Sequence, residues 1–64
     1  MLYRFDQPGK LTAVDWCCKN AAFVLDRPRA VTTRDFLELR NGEFYLRRGA
    51  VELHIDGKWT DLRG

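Results

Sequence analysis

The chain has 64 residues, with 11 lysines and arginines against nine aspartates and glutamates, for a formal charge of +2. That length makes one domain spanning 1–64, and a chain of this size buries only about 60% of its unfolded surface, so a disulfide, a metal or a second subunit would be a welcome support. So small a net charge permits nucleic-acid contact but makes dispersed solubility charges the more ordinary reading of the arginines. No apolar run approaches the ~20 residues needed to cross a bilayer, and Met1 to Asp6 lacks a signal-peptide core, so the expected location is the cytoplasm with no membrane partner.

In chain order, Leu2-Tyr3-Arg4-Phe5 ahead of Gln7-Pro8-Gly9 reads as a short strand able to pair at a sheet edge. Thr12 to Leu25 predicts a helix: Thr12 can cap it, Asp15 suits its positive end, and Val14, Cys18, Ala21 and Leu25 recur at helical spacing. On that wheel Trp16 and Phe23 lie opposite the core stripe. They predict an exposed patch that serves a dimer or a target. Asp26-Arg27-Pro28-Arg29 ends the helix, because the residue before proline avoids the α region.

Residues 33–40 admit two readings. Alternation favours a strand, while Thr32 or Thr33 as an N-cap, an acidic first turn and a terminal Asn41-Gly42 also describe a short helix. Beyond them, Asn41-Gly42, Arg48-Gly49 and Asp56-Gly57 punctuate segments that alternate apolar with polar, the strongest short-range signal for hairpins. Treating each as a two-residue loop gives one consistent register. It places Leu37, Leu39, Phe44, Leu46, Val51, Leu53, Ile55 and Leu62 on one face. The expected fold is therefore α+β, one helix packed on a small three- to four-stranded antiparallel β-meander, with a core of Val14, Cys18, Ala21, Leu25, Leu39, Phe44, Leu46, Val51, Leu53 and Ile55.

Enzymatic signals are absent. The chain contains no serine and no glycine-rich phosphate loop, and Cys17, Cys18 and His54 are too few soft or borderline donors for an ordinary zinc site. The two cysteines read as small hydrophobes of a reduced protein. No catalytic residue, cofactor or metal is expected.

The outer sheet face carries the functional expectation. The register puts Phe36, Glu38, Arg40, Glu43, Tyr45, Arg47, Glu52, His54, Trp59 and Asp61 there, in rows Arg40-Glu43-His54-Trp59, Glu38-Tyr45-Glu52-Asp61 and Phe36-Arg47; a three-residue Asp56-Gly57-Lys58 loop would instead turn Trp59 inward. Carboxylates around Tyr45 repel a phosphate backbone, whereas mixed charge around Tyr, Trp and Arg is the composition of a protein–protein hot spot. The expected function is a small non-enzymatic inhibitor or adaptor that docks on another protein, or on a second copy of itself, through Trp16, Phe23, Phe36, Arg40, Tyr45, His54 and Trp59. Phage and mobile-element inhibitors of host machinery are analogous in size and surface.

The alternative is a nucleic-acid-binding regulator using Arg27, Arg29, Arg47 and Arg48. If 33–40 is helical, the hairpin Glu43 to Ile55 with Arg47-Arg48-Gly49 at its tip resembles the wing of small phage excisionase-type DNA binders.

Overall fold

The computed structural model describes residues 2–16 and 20–61, with the backbone alone for Trp16. The described residues form seven strands and no helix: β1 (Leu2–Arg4), β2 (Gly9–Trp16), β3 (Ala21–Val31), β4 (Asp35–Arg40), β5 (Glu43–Arg48), β6 (Val51–Ile55) and β7 (Gly57–Asp61). They make two antiparallel sheets, a four-stranded one in the order β1-β4-β5-β6 and a three-stranded one in the order β2-β3-β7. The fold is all-β, which corrects the α+β expectation.

The correction lies in residues 12–25. They form two arms of a hairpin in which Val14 pairs with Phe23 and Trp16 with Ala21, and Asn20 at the loop takes a φ of 52°. As a helix this stretch buries one stripe and leaves Phe23 in water. As paired strands it brings Val14, Phe23 and Leu25 together into the core, and Thr12, Val14, Phe23 and Val24 are residues that suit a pleated surface better than a helix. Cys17 and Cys18, like Leu62 and Arg63, lie outside the described residues.

The second half of β3 is irregular for a visible reason. Leu11 pairs with Arg29 but Ala13 pairs with Val24, so β3 carries surplus residues opposite Thr12. Pro28, which has no amide to offer a ladder, falls within this bulge, and the Asp26 amide there donates to the Asp56 carbonyl at 2.8 Å.

Residues 35–40 are a strand, so the helical alternative for 33–40, and with it the winged-helix reading, is not realised. The turn Thr32 to Asp35 explains the cap-like sequence. The Asp35 carboxylate accepts from the Thr32 amide at 2.7 Å, and the Asp35 amide donates to the Thr32 carbonyl at 3.1 Å, a reciprocal closure leading into a strand. At the next turn Asn41 and Gly42 have φ of 53° and 80°, the two positive values that a type I′ hairpin needs.

The β5–β6 loop is Gly49-Ala50 in place of Arg48-Gly49, so Arg48 pairs with Val51, Leu46 with Leu53 and Phe44 with Ile55. The pairing moves by two residues, and a shift of two leaves every side chain on its expected face. Asp56-Gly57 is not a hairpin at all. The chain turns a corner there, and β7 joins the other sheet beside β3, with Phe23 opposite Trp59 and Leu25 opposite Gly57. A Cβ on Gly57 would run into the Val24 carbonyl and the Phe23 ring, so this glycine serves close approach of two strands.

The core sits between the sheets: Val14, Phe23 and Leu25 from the three-stranded sheet meet Leu37, Phe44 and Ile55 from the four-stranded one. Phe23 and Phe44 bridge them with ring centroids 4.7 Å apart, and Trp59 closes one side of the pair at 5.5 Å from Phe23 and 5.7 Å from Phe44. Leu39 and Leu46 pack partly buried against this cluster, but Val51 and Leu53, expected in the core, are 69% and 45% exposed. They lie on the core-facing side of β6, beyond the reach of the opposing sheet.

Candidate outer-sheet binding face

Alternation along β4, β5 and β6 turns Leu37, Phe44 and Leu46 inward, and so turns Phe36, Glu38 and Arg40, Glu43, Tyr45 and Arg47, and Glu52 and His54 outward. The strand β1, which pairs Leu2 with Glu38 and Arg4 with Phe36, widens this face. The observed rows are Leu2-Glu38-Tyr45-His54 and Arg4-Phe36-Arg47-Glu52, with Arg40 opposite Glu43. The two-residue shift at Gly49-Ala50 accounts for the change from the expected rows: His54 lies beside Tyr45, and Glu52 beside Arg47.

Arg40 and Tyr45 occupy the middle. The Arg40 guanidinium donates to both Glu52 carboxylate oxygens, at 3.3 and 2.7 Å, and its central carbon stands 4.1 Å from the centroid of the Tyr45 ring. This fork-to-fork hydrogen bonding raises the Arg40 pKa and lowers that of Glu52. Tyr45 Oη donates to Glu43 at 3.0 Å, and its ring lies 5.2 Å from the His54 ring. His54 is flanked by Glu43 at 3.7 Å and Asp56 at 3.4 Å. Glu38 stands 3.6 Å from both Arg40 and Arg47, and Arg4 lies 5.9 Å from the Phe36 ring centroid.

Each arginine of this face is thus already engaged, Arg40 and Arg47 by carboxylates and Arg4 by a ring. Three arginines stand against three glutamates, so the face is close to neutral while presenting the π-surfaces of Phe36, Tyr45 and His54.

The remaining candidate residues are placed elsewhere. Phe23 is 6% exposed and belongs to the core, so it cannot form a surface patch with Trp16, whose side chain lies outside the described residues. Trp59 is 47% exposed but stands on β7 with Asp61, in the other sheet, and packs against Phe23 and Phe44; neither extends the outer-face rows.

The four arginines of the nucleic-acid alternative divide between the sheets, Arg27 and Arg29 on β3 and Arg47 and Arg48 on β5. Arg29 donates to Asp26 at 3.3 Å, and Arg48 is held by the buried Asp35, so neither is presented as an uncommitted cation. Among the described residues no group of three or more His, Cys, Asp or Glu side chains could hold a metal ion, and no helix is long and apolar enough to cross a membrane.

Leu2 and Arg4 were not foreseen on the face, because nothing in a three-residue strand specifies its partner. The Arg40–Glu52 pair was not foreseen because it joins residues of different rows, reaching diagonally across Tyr45. Comparison with protein-family models, with curated proteins and with solved structures finds no match for this chain.

Proposed function

We propose that this protein is a small binding module that works by docking on another protein through the outer face of its four-stranded sheet, and not by catalysis. The observation that carries this reading is the Arg40–Tyr45–Glu52 arrangement: an arginine fixed over a tyrosine ring by a bidentate carboxylate. Tyrosine and arginine held in one geometry before contact lose little conformational freedom on binding, which is the property of an interface anchor. Phe36 and His54 on either side extend the ring surface, and the balanced charges around them favour a partner of mixed polarity over a polyanion.

In this reading the chain is an inhibitor or adaptor acting in the cytoplasm, analogous in size and surface to phage or mobile-element proteins directed at host machinery. The test is affinity purification from the native host with the wild-type chain and with Tyr45→Ala, the two matched for folding by circular dichroism. The expected result is a protein recovered with the wild type and lost with Tyr45→Ala. Recovery of the same protein with both would place the contact elsewhere, and recovery of nucleic acid sensitive to the Tyr45 change would replace the reading with a base-stacking one.

A further inference from the structure

β6 is an edge strand: it ends the order β1-β4-β5-β6, and among the described residues nothing pairs with its far side. Natural proteins guard such edges with lysine, proline, bulges or very short strands. The other three edges carry some such device. β1 has only three residues and ends in Arg4, β2 carries Lys10 and Asp15, and β7 opens with Gly57-Lys58. The strand β6 reads Val-Glu-Leu-His-Ile, with regular pairing along its length, no lysine, proline or bulge, and a single charge, Glu52, that Arg40 already engages.

Its composition is moreover complementary to itself. Two copies of a strand in one sheet, related by a two-fold axis, must pair residues that point to the same side, so Glu52, Leu53 or His54 has to meet its own counterpart. Centring on Glu52 or on His54 sets like groups against each other. Centring on Leu53 sets Glu52 opposite His54 and Val51 opposite Ile55, a carboxylate facing an imidazole outside and an apolar row inside.

The backbone is compatible with this register. Arg48 and Val51 flank a two-residue loop and form a hydrogen-bonded pair, so the alternation of an antiparallel ladder turns the amide groups of Glu52 and His54 toward the open edge. These are the two residues that face each other when Leu53 is central. The exposure of Val51 and Leu53 on the core-facing side supplies the third observation, since their counterparts in a second copy continue the same apolar surface.

We propose that β6 is a self-association edge: two copies pair antiparallel through Val51–Ile55 about Leu53 and make one continuous eight-stranded sheet. The edge shares Glu52 and His54 with the outer face, but it pairs through their backbone, and its readout, the oligomeric state, does not depend on whether that face binds another protein. It differs from a dimer through Trp16 and Phe23, because Phe23 is buried within the chain.

The test is sedimentation of the full chain over a wide concentration range, beside two variants that disable the edge in different ways. Leu53→Lys places a charge at the centre of the pairing, and His54→Pro removes an amide that points outward while leaving the β5 ladder its own donors. The wild type is expected to sediment at twice the chain mass at high concentration, and both variants at the chain mass with strand content retained. Amide exchange of the wild type supplies a reading that needs no variant: protection at Glu52 and His54 should rise with protein concentration. A wild type that stays monomeric, a dimer that survives in either folded variant, or protection at those two amides that does not depend on concentration would overturn the proposal.

Discussion

The Arg48 guanidinium clamps the buried Asp35 carboxylate from the neighbouring strand, with Nε donating to Oδ1 at 2.6 Å and Nη2 to Oδ2 at 2.8 Å. Asp35 is 1% exposed and also accepts from Thr32, so one charged group ties the turn before β4 to the end of β5. An arginine that sequence alone places at a loop tip is in this way part of the fold.

The clamp makes stability pH-dependent in a defined window. Its hydrogen bond with Arg48 lowers the Asp35 pKa to about 2 from 3.8, against the opposing effect of burial. A depressed carboxylate pKa contributes stability that is fully present above the unfolded-state value and is lost as pH falls through the folded-state value. Denaturant midpoints should therefore hold steady down to about pH 4 and fall between about pH 4 and 2. In Arg48→Ala the acid-induced fall should shrink, because without its main partner the carboxylate's folded-state pKa moves back toward the unfolded value. An unchanged acid limb in that variant would show that the clamp is absent in solution. Asp35→Ala should cost about 2 kcal/mol at neutral pH, measured by urea unfolding.

Core substitutions should separate residues that share a sheet face but differ in cover. Phe44→Ala removes a fully buried ring between Phe23 and Trp59 and should cost about 3–5 kcal/mol, most of what so small a domain has. Leu53→Ala on the same face should cost less than about 1 kcal/mol at concentrations where the chain is monomeric, because the side chain is 45% exposed. Equal losses at the two sites would mean that the opposing sheet extends over β6.

Gly57→Ala should destabilise by about 1–3 kcal/mol through overpacking against the Val24 carbonyl and the Phe23 ring, with the tryptophan emission of Trp59 perturbed. Gly42→Ala meets no atoms within contact distance and should show only the strain of a φ of 80°, about 1 kcal/mol. Thermal melts of the two variants compare a close approach with a turn.

Oligonucleotides should bind weakly. With Arg40 and Arg47 facing carboxylates and Arg48 held by Asp35, titration near physiological salt should give Kd no tighter than the ~10⁻⁴ to 10⁻⁶ M of non-specific contact. Nanomolar affinity with a steep salt slope, lost in Arg47→Ala, would restore the nucleic-acid reading.

The residues 37–55 were legible because their signals are local. Asn41-Gly42 sets a turn that only positive φ allows, and alternation assigns Phe36, Arg40, Tyr45 and His54 to one face even when the loop at Gly49 slips by two. The stretch 12–25 was not legible, because Val14, Ala21 and Leu25 fit a helical stripe as well as Val14, Phe23 and Leu25 fit a strand face. What decides between them is the partner, and Phe23 finds Phe44 and Trp59 only after distant strands arrive. Asp56-Gly57 misled for the same cause: its glycine answers to Val24 and Phe23, far away in sequence.

The strand switch at Asp56 also sets an order of events. The β4–β5–β6 hairpins close through short loops, whereas β7 reaches its place only by pairing Asp61 with Ala21 across most of the chain. Such non-local closure carries its entropy cost before any contact rewards it, so folding should be slow for a domain of this size, on the order of milliseconds to seconds, with the β7–β3 ladder formed last. Until that step Phe44 lacks two of its aromatic neighbours, and the half-built sheet offers a sticky surface to any other unfinished chain. The corner that completes the core is for that reason also the point at which crowding or a chaperone would alter the yield of this protein.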